Sequence, residues 1–191
     1  MALRMNGITG TYPTPSLAKQ YSYSRLDPIL TIGLSTDAGT VQKTIDVKAL
    51  LEKAWQSVMR KSENKMCNNY FKTLFRKKTL KEVLNEGDIT LHMLEPKPGK
   101  NWSVVPYANA SGREIGLNPE LFVDEDADVV ACTLVHELAH VAGASTNAGA
   151  PQAEAHAAEL ALMSCSCQRQ YDKDIVGRNL TIGTPGGQRY V

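Results

Sequence analysis

The stretch Thr133-Leu134-Val135-His136-Glu137-Leu138-Ala139-His140 decides how this chain is read. On a helix, His136 and His140 fall one turn apart on one face. Two imidazoles so placed can grip one metal ion, with Zn–N distances of about 2.0–2.1 Å. Glu137 points off to the side, where it can reach a water on that ion without being a ligand. The chain carries four histidines. At this composition the string His-Glu-x-x-His arises by chance roughly 0.005 times. Leu134, Val135, Leu138 and Val141 make the helix apolar beside the motif, as befits a helix buried behind a cleft.

Working outward, the acidic run Asp124 to Asp128 complements a helix dipole, so the spacing predicts a helix from about Ala127 to Ala142, stopped by Gly143. A loop of small residues follows. Pro151, suited to a first helical position, opens a second helix running to about Cys167. Upstream, Ile89 to Leu94 alternates as a strand should. Ser103 to Ala108 and Glu114 to Leu117 are two more strands, joined as a hairpin by Asn109-Ala110-Ser111-Gly112. Earlier still, Ile45, Val47, Leu50, Leu51, Ala54 and Val58 recur at helical steps from about Thr44. Phe71, Leu74, Phe75, Leu80 and Val83 do so from Asn68 to Leu84, with a break near Lys78 and Thr79. The expected class is α+β, with a small antiparallel or mixed sheet. Proline and glycine punctuation reads residues 1–40 as an irregular N-terminal arm, 41–176 as the domain, and 177–191 as an irregular tail.

A catalytic zinc site needs a third protein ligand and an open fourth position. After His140, Thr146 stands where a continuation His-x-x-Gly-x-x-His would put its last histidine, and the next aspartate is Asp172. The second helix offers Glu154, His156 and Glu159. If that helix starts at Pro151, Glu154 lies level with His140 across the helical hairpin. Glu159 then sits about 7.5 Å farther along. That geometry ranks Glu154 first, Glu159 second and His156 third; a later helix start reverses the first two. Tyr107, His156 and Tyr171 are the candidate donors to an oxyanion.

The segment resembles the zincin metallopeptidases. Its order of strand hairpin, His-Glu-x-x-His helix, loop and glutamate helix is similar to the gluzincin half of that group, and Glu159 stands at the 18-residue gap of the aminopeptidase branch. Tyr107-Ala108-Asn109-Ala110 leading to Ile115-Gly116-Leu117-Asn118-Pro119 also resembles deuterolysin-type and bacterial toxin-type metallopeptidases, although the loop lacks the deuterolysin aspartate. The resemblance covers about residues 88–167. It implies a zincin-like fold, Zn2+ held by His136, His140 and a glutamate of the following helix, which the hairpin geometry makes Glu154, and Glu137 as general base for hydrolysis of peptide bonds. Residues 103–109 then line the cleft and pair with extended substrate.

Composition narrows the partners. A net charge of +1 and 42% hydrophobic residues describe an ordinary globular chain with no field to steer it toward nucleic acid or an anionic membrane. Arg76-Lys77-Lys78 reads as a solvated helix end, and no run approaches the roughly 18 apolar residues of a membrane span. No signal peptide is visible at the N-terminus. The sequence therefore predicts synthesis in a cytoplasm, with export only by a signal-independent system. In that setting the expectation is a bacterial toxin or effector, acting on a protein or cell-wall peptide substrate and matched by a cognate inhibitor or immunity protein. A different class, a catalytically silent zinc-stabilised binding module, needs a fourth protein ligand such as Cys165 or Cys167. Cys165-Ser166-Cys167 is one residue too tight for a Cys-x-x-Cys knuckle; the even count of Cys67, Cys132, Cys165 and Cys167 leaves disulfides open, and buried free thiols are the first reading.

Overall fold

A computed structural model of the chain describes residues 3–5, 21–24, 28–36, 39–96, 107–109, 113–117, 119–145 and 156–167. The strands among these residues are β1 (Leu3–Met5), β2 (Tyr21–Ser24), β3 (Ile29–Thr36), β4 (Gly39–Asp46), β5 (Ile89–Pro96), β6 (Tyr107–Asn109) and β7 (Glu114–Leu117). Among the described residues the helices are α1 (Val47–Lys61), α2 (Lys65–Phe71), α3 (Leu80–Asn85), α4 (Ala127–Val141) and α5 (Ala157–Ser164), with a 3-10 turn at Pro119–Phe122. The class is α+β, with strands in two sheets and the helices in separate runs. No helix among the described residues is long and apolar enough to cross a membrane.

The larger sheet is built on β5. One edge of β5 takes β7 in parallel, Leu91 facing Ile115. The other edge takes β1 in parallel at Ile89–Leu91 and β2 antiparallel at Met93–Pro96. Beyond β7, the antiparallel strand β6 ends the sheet, so the hairpin read from the sequence is present as β6–β7. Ile89, Leu91, Met93, Ile115 and Leu117 are buried with the helical core, in which Phe71, Phe122, Leu51 and Leu134 are among the largest fully enclosed side chains. The helix α4 packs against α1, α5 and the edge strand β6.

Three expectations need correction here. The stretch 1–40 is not simply irregular: it supplies β1, β2, β3 and the start of β4. Glycine and proline punctuate those strands, but β1 and β2 find their ladder partner on β5, far off in sequence, and period alone cannot signal that. Thr44 to Asp46 belong to β4, paired with Ile29–Thr31, and α1 begins only at Val47, where the Asp46 carboxylate accepts from the Ala49 N–H at 2.8 Å. Phe75, which fitted the helical apolar pattern, lies outside any helix and is 87% exposed, because the chain leaves α2 at Phe71 and re-enters helix only at Leu80, where the capping box of Thr79 and Glu82 starts α3. The tail 177–191 lies outside the described residues.

Candidate metal centre

Helix α4 delivers the motif. The Asp126 carboxylate caps its start by accepting from the N–H groups of Asp128 (2.9 Å) and Val129 (3.2 Å), so the helix begins where the acidic run predicts. Its far end closes in a Schellman turn: the Gly143 N–H donates to His140 O, and the Ala144 N–H to Ala139 O, both at 2.9 Å. Gly143 takes φ +96, which favours glycine, and a side chain there would meet Phe75 Cβ at 2.8 Å. The turn has a chemical consequence. It brings the Ala144 carbonyl to 3.2 Å from His140 Nδ1. A carbonyl only accepts, so Nδ1 carries the proton and Nε2 presents its lone pair.

That lone pair points toward its neighbour. His136 Nε2 and His140 Nε2 lie 3.1 Å apart, with the rings edge to face. Glu137 Oε1 lies 3.9 Å from the same His136 nitrogen. His136 and Glu137 are buried and His140 nearly so. Burial holds the His140 imidazole below its usual range, offset in part by the Ala144 carbonyl and the charge of Glu159. The neutral imidazole is the form that ligates a metal.

Helix α5 begins at Ala157, with His156 as its N-cap residue. Pro151 and Glu154 lie outside the described residues. Glu159 is buried in the first turn of α5, and its charge acts on both His140 and Tyr70. The Tyr70 hydroxyl donates to Ala157 O at 2.8 Å, and burial together with Glu159 pushes its phenol up. His156 is half-buried at the start of α5, and Tyr107 opens β6, facing Gly116 in register. Tyr171 lies outside the described residues. Among the described residues, no three His, Cys, Asp or Glu side chains already stand close enough together to hold a metal ion.

The cysteines are not free thiols. Cys67 of α2 pairs with Cys165, and Cys132 of α4 pairs with Cys167. The tight Cys-Ser-Cys spacing serves this pairing. Ser166 sits at φ +59 in a second Schellman turn that ends α5, and the cysteines on either side of it reach two different helices. Tyr70 and the bridges were missed by motif reading. A usable signal was present in Cys132, one helical turn before His136, together with two cysteines just after the glutamate helix.

No protein-family model, curated protein or solved structure matches this chain.

Proposed function

We propose that the chain is a zinc-dependent hydrolase of peptide bonds with a zincin-like site. The observation that carries this reading is the approach of two imidazole Nε2 atoms to 3.1 Å, one with its lone pair set by a backbone carbonyl, beside a buried glutamate. Without metal, the His136 Nε2–H donates to the His140 Nε2 lone pair. Two nitrogens each about 2.0–2.1 Å from one tetrahedral zinc stand roughly 3.3 Å apart, so loss of that proton leaves a spacing that suits zinc. His136 and His140 supply two ligands. The third is Glu159, because a helix that begins at Ala157 is the condition under which the spacing itself prefers Glu159 to Glu154. A zinc ion held there supplies a Lewis acid and lowers the pKa of the water it binds to about 7.

Glu137 is the general base. Its Oε1 takes a proton from the attacking water and later releases it to the leaving nitrogen. Burial keeps bulk water from competing for that proton. Tyr107 and His156 are the candidate donors to the developing oxyanion. The strand β6 closes one end of the described sheet and packs beside α4, which suits an extended peptide adding to its outer edge. Protein purified without chelators should carry about one zinc per chain. Glu137→Gln should keep that zinc while losing turnover by about 10²–10⁴-fold. Metal-free wild-type protein would overturn the proposal. Delivery as a toxin, with a cognate inhibitor, is part of the same reading. Its test is growth arrest by the wild type but not by Glu137→Gln when each is targeted to the cytoplasm or the periplasm. Equal growth in both compartments removes it.

A further inference from the structure

The last carbonyls of a helix lack partners farther along it and must be satisfied by the turn that follows or from outside. At the end of α4 the turn serves three of them. Leu138 O accepts from the Ala142 N–H, Ala139 O from the Ala144 N–H and His140 O from the Gly143 N–H, each at 2.9 Å. Val141 O and Ala142 O are left, and one residue far off in sequence takes both. Arg76, between α2 and α3, donates its backbone N–H to Ala142 O at 3.1 Å and its guanidinium Nη1 to Val141 O at 3.3 Å. It also packs on the turn: a side chain at Gly143 would meet Arg76 Cγ and Arg76 N, each at 3.4 Å. A cation at this end of α4 complements the helix dipole. Glu86, just past α3, holds the guanidinium in turn. Its Oε2 lies 3.5 Å from Arg76 Nη1 and 3.0 Å from Arg113 Nη1, and its Oε1 pairs with Lys78.

We propose that Arg76 is a positioning residue for the metal centre: by holding Val141 O and Ala142 O it fixes the turn from which the Ala144 carbonyl keeps the His140 proton on Nδ1. Its bearing on zinc rests on the function proposed above, whereas its effect on the imidazole needs no metal. With Nδ1 protonated and 3.2 Å from Ala144 O, His140 offers its Nε2 lone pair, and the proton between the two Nε2 atoms belongs to His136. A turn released from Arg76 lets that carbonyl move. The bridging proton can then sit on either ring, and His140 presents Nε2–H for part of the time, which a cation cannot use. Lys78 pairs with the same Glu86 carboxylate, so it is the control for loss of a cation as such.

Arg76→Met keeps the stem beside Gly143 and the backbone bond to Ala142 O, and removes only the guanidinium. Arg76→Lys restores a cation and a donor without the planar fork. The first measurement is the proton–nitrogen NMR correlation of the imidazole rings in metal-free protein at mildly alkaline pH. Wild type should show His140 protonated at Nδ1 and His136 at Nε2, whereas Arg76→Met should show the bridging proton divided between the rings. The second is zinc affinity by competition with a chromogenic chelator. It should fall about tenfold in Arg76→Met, the low end for a partner outside the ligand set, and recover at least in part in Arg76→Lys. Lys78→Met should match wild type in both. A wild-type spectrum in Arg76→Met overturns the proposal, whatever the melting temperature does, because Arg76 then only stabilises the fold. A changed spectrum with undiminished affinity overturns it as well, and so does an equal effect from Lys78→Met. If Arg76→Met does not fold, Glu86→Gln, which frees the guanidinium but leaves it in place, should move both measurements the same way; no change in either overturns the proposal. Wild type that binds no zinc sinks the site reading itself, and the spectra alone then judge Arg76.

Discussion

At the scale of single residues, the site depends on which atom of each imidazole carries a proton. The Ala144 carbonyl settles this for His140, and the 3.1 Å approach of the Nε2 pair follows from their one-turn spacing on α4. Glu159→Ala is expected to weaken zinc binding by an order of magnitude or more, since even a partner in the outer shell of a metal site is worth about 10–100-fold. Glu154→Ala should leave the metal in place. Isothermal titration of both variants separates the two carboxylates, and retention of zinc by Glu159→Ala with loss in Glu154→Ala would restore the shorter spacing. Tyr70→Phe removes only the hydrogen bond to Ala157 O. It should cost about 1 kcal/mol of stability, read by urea unfolding.

At the scale of elements, two helix ends do most of the positioning. Gly143 must combine a left-handed φ with the close approach of Phe75, whose neighbour Arg76 donates from its backbone N–H to Ala142 O at 3.1 Å. Gly143→Ala is therefore expected to cost about 2 kcal/mol, from backbone strain and the Phe75 contact together. In a chain of this size that lowers the Tm by roughly 4–8 °C, measurable by calorimetry. The same substitution moves the Ala144 carbonyl and should loosen His140, so zinc affinity should fall with it. Ser166, at φ +59, is the opposite case. Glycine adopts that conformation freely, so Ser166→Gly should be neutral or stabilising by up to about 1 kcal/mol, with both bridges still formed. A lower Tm for Ser166→Gly would count against the account of that turn.

At the scale of the whole molecule, covalent and titrating groups set the conditions under which the fold holds. The bridges span sequence separations of 98 and 35. In the chain-entropy model they are worth about 4.7 and 3.8 kcal/mol, a large part of an ordinary domain's stability. The protein should accordingly melt far lower in reductant. Acid should also weaken it. His92 on β5 is buried beside Glu114 of β7, their Nε2 and Oε2 atoms 3.8 Å apart. Burial holds the His92 imidazole below its ordinary 6.5, despite the raising effect of Glu114. The unfolded chain then binds more protons than the folded one as pH falls through that ordinary value, so stability declines on acidification and is fully present above it. His140 adds to the trend with the same sign in metal-free protein. Urea midpoints should fall between pH 7.5 and pH 5.5, and His92→Gln should flatten the dependence. A midpoint that rises with acidification would contradict this.

The sequence alone determined whatever depends on near neighbours along the chain. The helix of His136, Glu137 and His140, its acidic cap and its glycine stop were legible because capping and the one-turn spacing act within a few residues. The hairpin β6–β7 was legible for the same reason. Tertiary structure alone decided the rest. The strands β1 and β2 form because β5 offers them the edge opposite β7, a partner more than 60 positions away that no local period announces. The start of α5 had to be seen before Glu159 could be preferred to Glu154, since a boundary error of one turn moves a carboxylate by about 5 Å. The cysteine pairing joins residues 98 and 35 positions apart, and Phe75 Cβ stands against Gly143, 68 positions on in the chain. Both are contacts between segments, and hydrophobic period or residue type cannot encode which segments will meet.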